Sequence, residues 1–265
     1  MRIVHISDPH LGYPGTVERF RARMDHLASL EPEAVVLTGD LVDDAFQESQ
    51  LALANEVLDS YRELPLLLVP GNHDYGNWRK GDRELLDVFR DRFLQGRSFP
   101  LLDILGGVAF IGLDSMAGEL NWHDRMWAEG ELGKVQLRRL ASLLRSGEVR
   151  ACRKRVVYLH HHPFDYQPLH QLKDSGPLHQ VLDEAMFQGT SIDALLYGHH
   201  HVGKCSNGQW GILRCYDAGT VTMKPRAWWE KKLPWFRVLS DSARLIDLDA
   251  GPENDRLLFP EREEI

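Results

Sequence analysis

The stretch RIVHISDPH (2–10) sets a short apolar, β-branched run directly against Asp8, Pro9 and His10. Five or six such residues read as a buried strand, and this one ends in two side chains that bind metals well. The pattern recurs along the chain. AVVLTG (34–39) is followed by Asp40, and PLLLVPG (65–71) by Asn72, His73 and Asp74. RVVYLH (155–160) is followed by His161, and DALLYG (193–198) by His199, His200 and His201. A sixth run, VAFIGLD (108–114), carries Asp114 at its end. Between the runs lie stripes with helical spacing: Val17, Phe20, Met24 and Leu27; Leu51, Ala54, Leu58 and Tyr61; Leu85, Phe89 and Phe93; Leu137, Leu140 and Leu144; Leu178, Leu182 and Met186. Strands alternating with amphipathic helices predict an α/β protein with a largely buried sheet. Beyond residue 205 the pattern turns to β, with WGILRCYDAGT (210–220) and SARLIDLD (242–249) expected as strands.

Ligands of open α/β sheets bind outside the carboxyl ends of the strands, where the loops converge. Taken alone, an Asp or His at a strand end is a capping carboxylate or a surface imidazole. Five strand ends carrying Asp, Asn or His together point to one metal centre. Carboxylate, amide oxygen and imidazole without thiolate suit Mn, Fe, Zn or Co. Asp8, His10, Asp40, Asn72, His161, His199 and His201 are seven side chains, more than one ion holds. Two ions sharing a carboxylate fit them, and a pair about 3.5–4 Å apart binds a hydroxide for in-line displacement at phosphorus.

The 265 residues suit a single domain spanning 1–265. A formal net charge of -8 gives no support for general attraction to nucleic acid or an anionic membrane. Three cysteines without CxxC spacing indicate neither a disulfide framework nor a thiolate zinc site. There is no apolar run of membrane-spanning length, and a strand begins at Arg2, so a cytoplasmic location is expected. KPRAWWEKKLPWF (224–236) places Trp228, Trp229 and Trp235 among Lys and Arg, and is expected to act as a lid or as a homo-oligomer contact. The acidic end, 261–265, is expected to fray.

YLHHHPF (158–164) leaves a choice. In an extended chain His160 and His162 point one way and His161 the other, so the ligand is His161 alone or its two neighbours together. The same alternation pairs His199 with His201 and turns His200 away.

Five blocks, Asp8-Pro9-His10, Gly39-Asp40-Leu41-Val42-Asp43, Gly71-Asn72-His73-Asp74, His161-His162-Pro163 and Gly198-His199-His200-His201, stand in the order found in calcineurin-like metallophosphoesterases. Leu113-Asp114-Ser115, Gly130-Glu131-Leu132 with Gln136, and Asp217-Ala218-Gly219-Thr220 agree as well. The chain resembles that superfamily over nearly its whole length. The resemblance implies a four-layer αββα sandwich, two mixed β-sheets flanked by helices, with a dinuclear site at one sheet edge. It implies Asp8, His10 and His201 on one ion, Asn72, His161 and His199 on the other, and Asp40 between them. His73 matches the family's catalytic histidine, with Asp74 expected to orient its ring. The cofactors implied are two transition-metal ions, Mn, Fe or Zn. Asp43 and Asp114 are read as residues holding loops or the partners of ligands.

The HHHP and GHxH forms most resemble the bacterial cyclic-nucleotide and glycerophosphodiester phosphodiesterase branch, implying a small phosphoester substrate. A nuclease of the same superfamily is the alternative, and a non-catalytic scaffold a third. Substrate contacts are expected from Trp122, His123 and Arg125, in the stretch 116–127, and from His170.

Overall fold

The structure, a computed structural model, describes residues 1–77, 80–118, 129–164, 171–222 and 238–264. The apolar runs become strands because they are buried on both faces, as continuous rather than alternating hydrophobic patterns require. They are β1 (Arg2–Ile6), β2 (Ala34–Thr38) and β3 (Leu66–Val69), followed by a two-residue ribbon of β4 (Gly76–Asn77) and β5 (Lys80–Gly81). Next come β6 (Leu101–Leu105), β7 (Val108–Gly112), β8 (Lys154–Tyr158), β9 (Ala194–Tyr197), β10 (Arg214–Asp217), β11 (Val238–Asp247) and β12 (Arg256–Glu264). The helices are α1 (Thr16–Ala28), α2 (Glu48–Asp59), α3 (Glu84–Phe93), α4 (Gly133–Leu144), α5 (Gly147–Ala151) and α6 (Ser175–Phe187).

Two five-stranded sheets form, in the orders β12-β11-β1-β2-β3 and β10-β9-β8-β7-β6. Strands β1 to β3 run parallel, as do β7 to β10, while β6, β11 and β12 pair antiparallel. Alternation divides each central strand of the second sheet between two cores. Phe110, Tyr158 and Leu196 join Val36 and Leu68 of the first sheet, together with Phe20 of α1 and Leu51 of α2. Their neighbours Ile111, Val157 and Leu195 pack instead with Leu140 of α4 and Leu182 of α6. The result is the expected sandwich of two mixed sheets flanked by helices. Among the described residues no helix is long and apolar enough to cross a membrane.

Three local expectations need correction. The end of the chain is not frayed over 261–264: those residues continue β12, with Glu261 to Glu264 in register with Asp241 to Val238 of β11. Charged residues and Pro260 are what an edge strand tolerates, so the acidic composition does not exclude pairing. Ile265 and the segment 224–236 lie outside the described residues. The stretch WGIL is not strand; Gln209–Gly211 is a 3-10 turn with Trp210 at φ 53. Finally, β6 was missed because it is an edge strand carrying Asp103, with no continuous apolar run to announce it.

One buried ion pair clips the two sheets together. Arg214 of β10 donates from Nε to Asp255 Oδ2 at 2.8 Å and from Nη2 to the carbonyls of Asp247 and Ala250, in the turn between β11 and β12. Both side chains are almost fully enclosed. Removing one partner leaves a buried charge uncompensated. Arg214→Met should therefore lower unfolding free energy by about 3–5 kcal/mol in denaturant titration, with part of the loss recovered when Asp255→Asn is added.

Candidate metal centre

The site forms where β1, β2, β3, β8 and β9 end. Each strand stops and the chain turns sharply, and five residues at these turns, Asp8 (φ 53), His10 (φ 44), Asp40 (φ 49), His199 (φ 75) and His201 (φ 57), have left-handed backbone. That region costs L-residues about 1–2 kcal/mol each. Only four other non-glycine residues among those described share it: Glu31, Gln95, Trp210 and Phe259. Strain collected in this way marks a functional site.

The side chains fall into overlapping groups. Asp8, His10, Asp40 and His201 bring their ligand atoms within 4.8 Å of one another. His201 Nε2 lies 2.9 Å from Asp8 Oδ1 and 3.3 Å from His10 Nε2, and His10 Nε2 is 3.7 Å from Asp40 Oδ2. His160, His161 and His199 form a second group. His199 Nδ1 is 3.2 Å from His160 Nε2, which is also 3.1 Å from Asn72 Oδ1 and 3.5 Å from Asp40 Oδ1. All seven sequence-predicted ligands thus meet at one place, with Asp40 touching both groups.

Two glycines make the convergence possible. A Cβ on Gly71 would fall 2.3 Å from Asp40 Oδ1, and one on Gly198 would fall 1.8 Å from Ser7 Oγ and 2.6 Å from Asp8 Oδ2. Hydrogen bonds hold the ligands from behind. Thr220 Oγ1 donates to the Asp8 carbonyl at 2.9 Å, and His199 N donates to Asp8 Oδ2 at 3.1 Å. Ser115 Oγ lies 2.7 Å from His161 Nδ1, fixing that ring. Ser115 and Thr220 stood in blocks visible in the sequence, but nothing there showed which ligand each would steady.

The three histidines of HHHP do not alternate. His160 turns between the sheets, with Nδ1 donating to the Thr38 carbonyl at 2.7 Å. His161 turns to Ser115 and His199, while His162 packs against Tyr197 and Phe164. Strand β8 ends at Tyr158, so two-residue periodicity no longer applies past it. His160 therefore sits inside the cluster rather than behind it. The second triplet likewise lies past its strand, β9 ending at Tyr197, and there His200 stacks on His162 while its ring stays 5.3 Å from that of His199.

Asp74 requires a second correction. It was expected to orient His73, but His73 Nδ1 donates instead to the Asp43 carbonyl at 2.6 Å. The short 3-10 turn Asn72–Tyr75 sends successive side chains in different directions. Asp74 points inward and accepts from Gly71 N, Leu41 N and Val42 N at 2.9–3.1 Å, clamping the two loops that carry Asp40 and Asn72. Burial, reinforced by Asp40, raises its pKa to about 7. Asp43 also faces His10, with Oδ1 3.6 Å from His10 Nδ1. Asp114, read as structural, accepts from Tyr75 Oη and Met116 N. Trp122, His123, Arg125 and His170 lie outside the described residues.

The donor set fits transition-metal ions: imidazole, carboxylate and amide oxygen, with no thiolate. Electrostatics agree. Burial favours neutral His160, yet Asp40 and Asp8 outweigh it and raise its pKa. Burial likewise opposes charge on Asp8, yet His201 and His160 hold its pKa below the ordinary carboxylate value. The carboxylates thus create a field that favours positive charge at the centre of the cluster.

Residues 1–203 match the sequence profile of the calcineurin-like phosphoesterase family, and the chain belongs to that family. It is 28% identical over 173 residues to a Fibrobacter succinogenes protein named a probable cyclic nucleotide phosphodiesterase, covering 62% of this chain and 57% of that one. A Pseudoalteromonas protein of the same name is 26% identical over 212 residues, covering 76% and 71%. This chain therefore spans between 57% and 71% of the length of these two relatives. A dimetal phosphatase from Danio rerio superposes with a TM-score of 0.67 at 13% identity, covering 98% and 99% of the two chains, a likeness of fold alone.

The left-handed backbone yields a direct test. At His201 (φ 57) glycine relieves strain that alanine keeps. Metal-free His201→Gly should be more stable than metal-free His201→Ala by about 1 kcal/mol in urea titration. Equal stability would show that the turn carries no strain.

Proposed function

We propose that this chain is a dinuclear metal-dependent phosphodiesterase acting on small phosphodiesters as a single domain. The observation that carries this reading is the meeting of two chelating groups at Asp40. Asp8, His10 and His201 would hold one ion and Asn72, His161 and His199 the other, with His160 Nε2 also within this second set and Asp40 between the two. When bound, such a pair supplies Lewis acidity toward the phosphoryl oxygens and a nucleophile at neutral pH.

The remaining work falls to the chain's own residues. His73 sits beside His10, with ring centroids 4.8 Å apart, and its backbone N–H donates to Asp40 Oδ1 at 2.9 Å. Its position is therefore tied to the carboxylate shared by both groups. With Nδ1 committed to the Asp43 carbonyl, Nε2 is the atom that carries a proton to the leaving oxygen. Holding the ring at one nitrogen removes the rotational freedom that would otherwise let it miss that oxygen.

Cyclic nucleotides and other small phosphodiesters are the substrate class we favour. The names of the two bacterial relatives support it, and a net charge of -8 does not favour a polyanionic duplex.

Protein loaded with Mn should hydrolyse bis(p-nitrophenyl) phosphate, and Asp40→Ala or Asn72→Ala should abolish this activity. His73→Ala should retain metal, measured by elemental analysis, while turnover falls about 10²–10⁴-fold. Loaded, folded protein inert toward cyclic nucleotides, glycerophosphodiesters, dinucleotides and monoesters alike would defeat the proposal. Activity on DNA alone would favour a nuclease.

A further inference from the structure

The last backbone bond between the ends of β8 and β9 is Gly198 N donating to His160 O at 2.9 Å. The strands pair Tyr158 with Leu196, and the same register places His161 beside His199 and His162 beside His200. The side chains keep this register after the backbone ladder stops. His161 and His199 have ring centroids 4.5 Å apart at 44°, and His162 and His200 are stacked at 4.9 Å and 13°. The first pair belongs to the candidate centre. The second is made by the next residue of each loop.

The His162 ring is held by its other neighbours as well. It is buried, Tyr197 meets it edge-on at 4.5 Å, and its Nδ1 accepts the Phe164 N–H at 3.1 Å. Phe164 is held in turn by Trp210 at 4.7 Å. With its rotation fixed, His162 presents one face as a platform, and His200, half-buried, lies on it. Each member of the stack adjoins a candidate ligand by one peptide bond, so sliding of one loop against the other would separate the rings and the ligands together.

We propose that His162 and His200 are positioning residues whose stack holds the two loops in register, so that His161 and His199 present to the same ion. This inference rests on the ion-pair reading above. An offset aromatic pair of this geometry carries enough interaction to alter an affinity by about 3–10-fold.

The test is Mn titration of metal-free protein by calorimetry, with thermal melting to check each fold. His200 is half-buried, so His200→Ala should fold. It should weaken by about 3–10-fold one binding step, the step that His161→Ala removes, and leave the other within about twofold. His200→Phe should restore that step, and His162→Ala should reproduce the loss, with little added in the double variant. The inference is overturned if His200→Ala binds both ions as the parent does, if both steps weaken together, or if His200→Phe restores nothing. Parent protein that takes up only one ion overturns the ion-pair reading and this inference with it.

Discussion

Asp40 is a carboxylate sealed from water at the seam between two sheets, and a carboxylate so placed is costly unless partners surround it. Its partners come from separate parts of the chain. His10 approaches Oδ2 from the end of β1, His160 approaches Oδ1 from beyond β8, and the His73 amide donates to Oδ1 from the turn after β3. Distances of 2.9–3.7 Å around one group leave little freedom in how the sheets meet. The sandwich satisfies this by stacking two parallel strand sets whose carboxyl ends open on the same edge, and Arg214 with Asp255 locks the sheets elsewhere.

Several local features follow from that requirement. Five of the candidate ligands accept left-handed backbone, because a strand that ends under such a cluster must turn at once to aim its side chain back. Gly71 and Gly198 give up side chains so that Asp40 and Asp8 can be approached. Asp74 spends a buried carboxylate on three backbone amides, and by doing so fixes the loops that carry Asp40 and Asn72. These features reduce the stability of the chain in exchange for a preorganised site, and metal binding would return part of it.

The architecture was legible because its strands are buried on both faces and end in chelating residues. Reading one residue past each of five apolar runs gives Asp8, Asp40, Asn72, His161 and His199, with His10 and His201 two residues further on, and the structure brings these seven candidate ligands together. What was not legible is orientation. Two-residue alternation is a property of extended chain, and His160 to His162 lie beyond the end of β8, so the rule misplaced His160. Adjacency in sequence suggested Asp74 as the partner of His73, whereas the turn supplies the carbonyl of Asp43, thirty residues away. Edge strands were hidden for the opposite reason, since β6 and β12 carry charges and no continuous apolar run.

A dinuclear centre in this fold requires Asp40 to lie between two ions. Anomalous diffraction from crystals grown with Mn measures this directly. Two peaks are expected about 3.5–4 Å apart, both in contact with the Asp40 carboxylate. A single peak, or two that do not share Asp40, would contradict it.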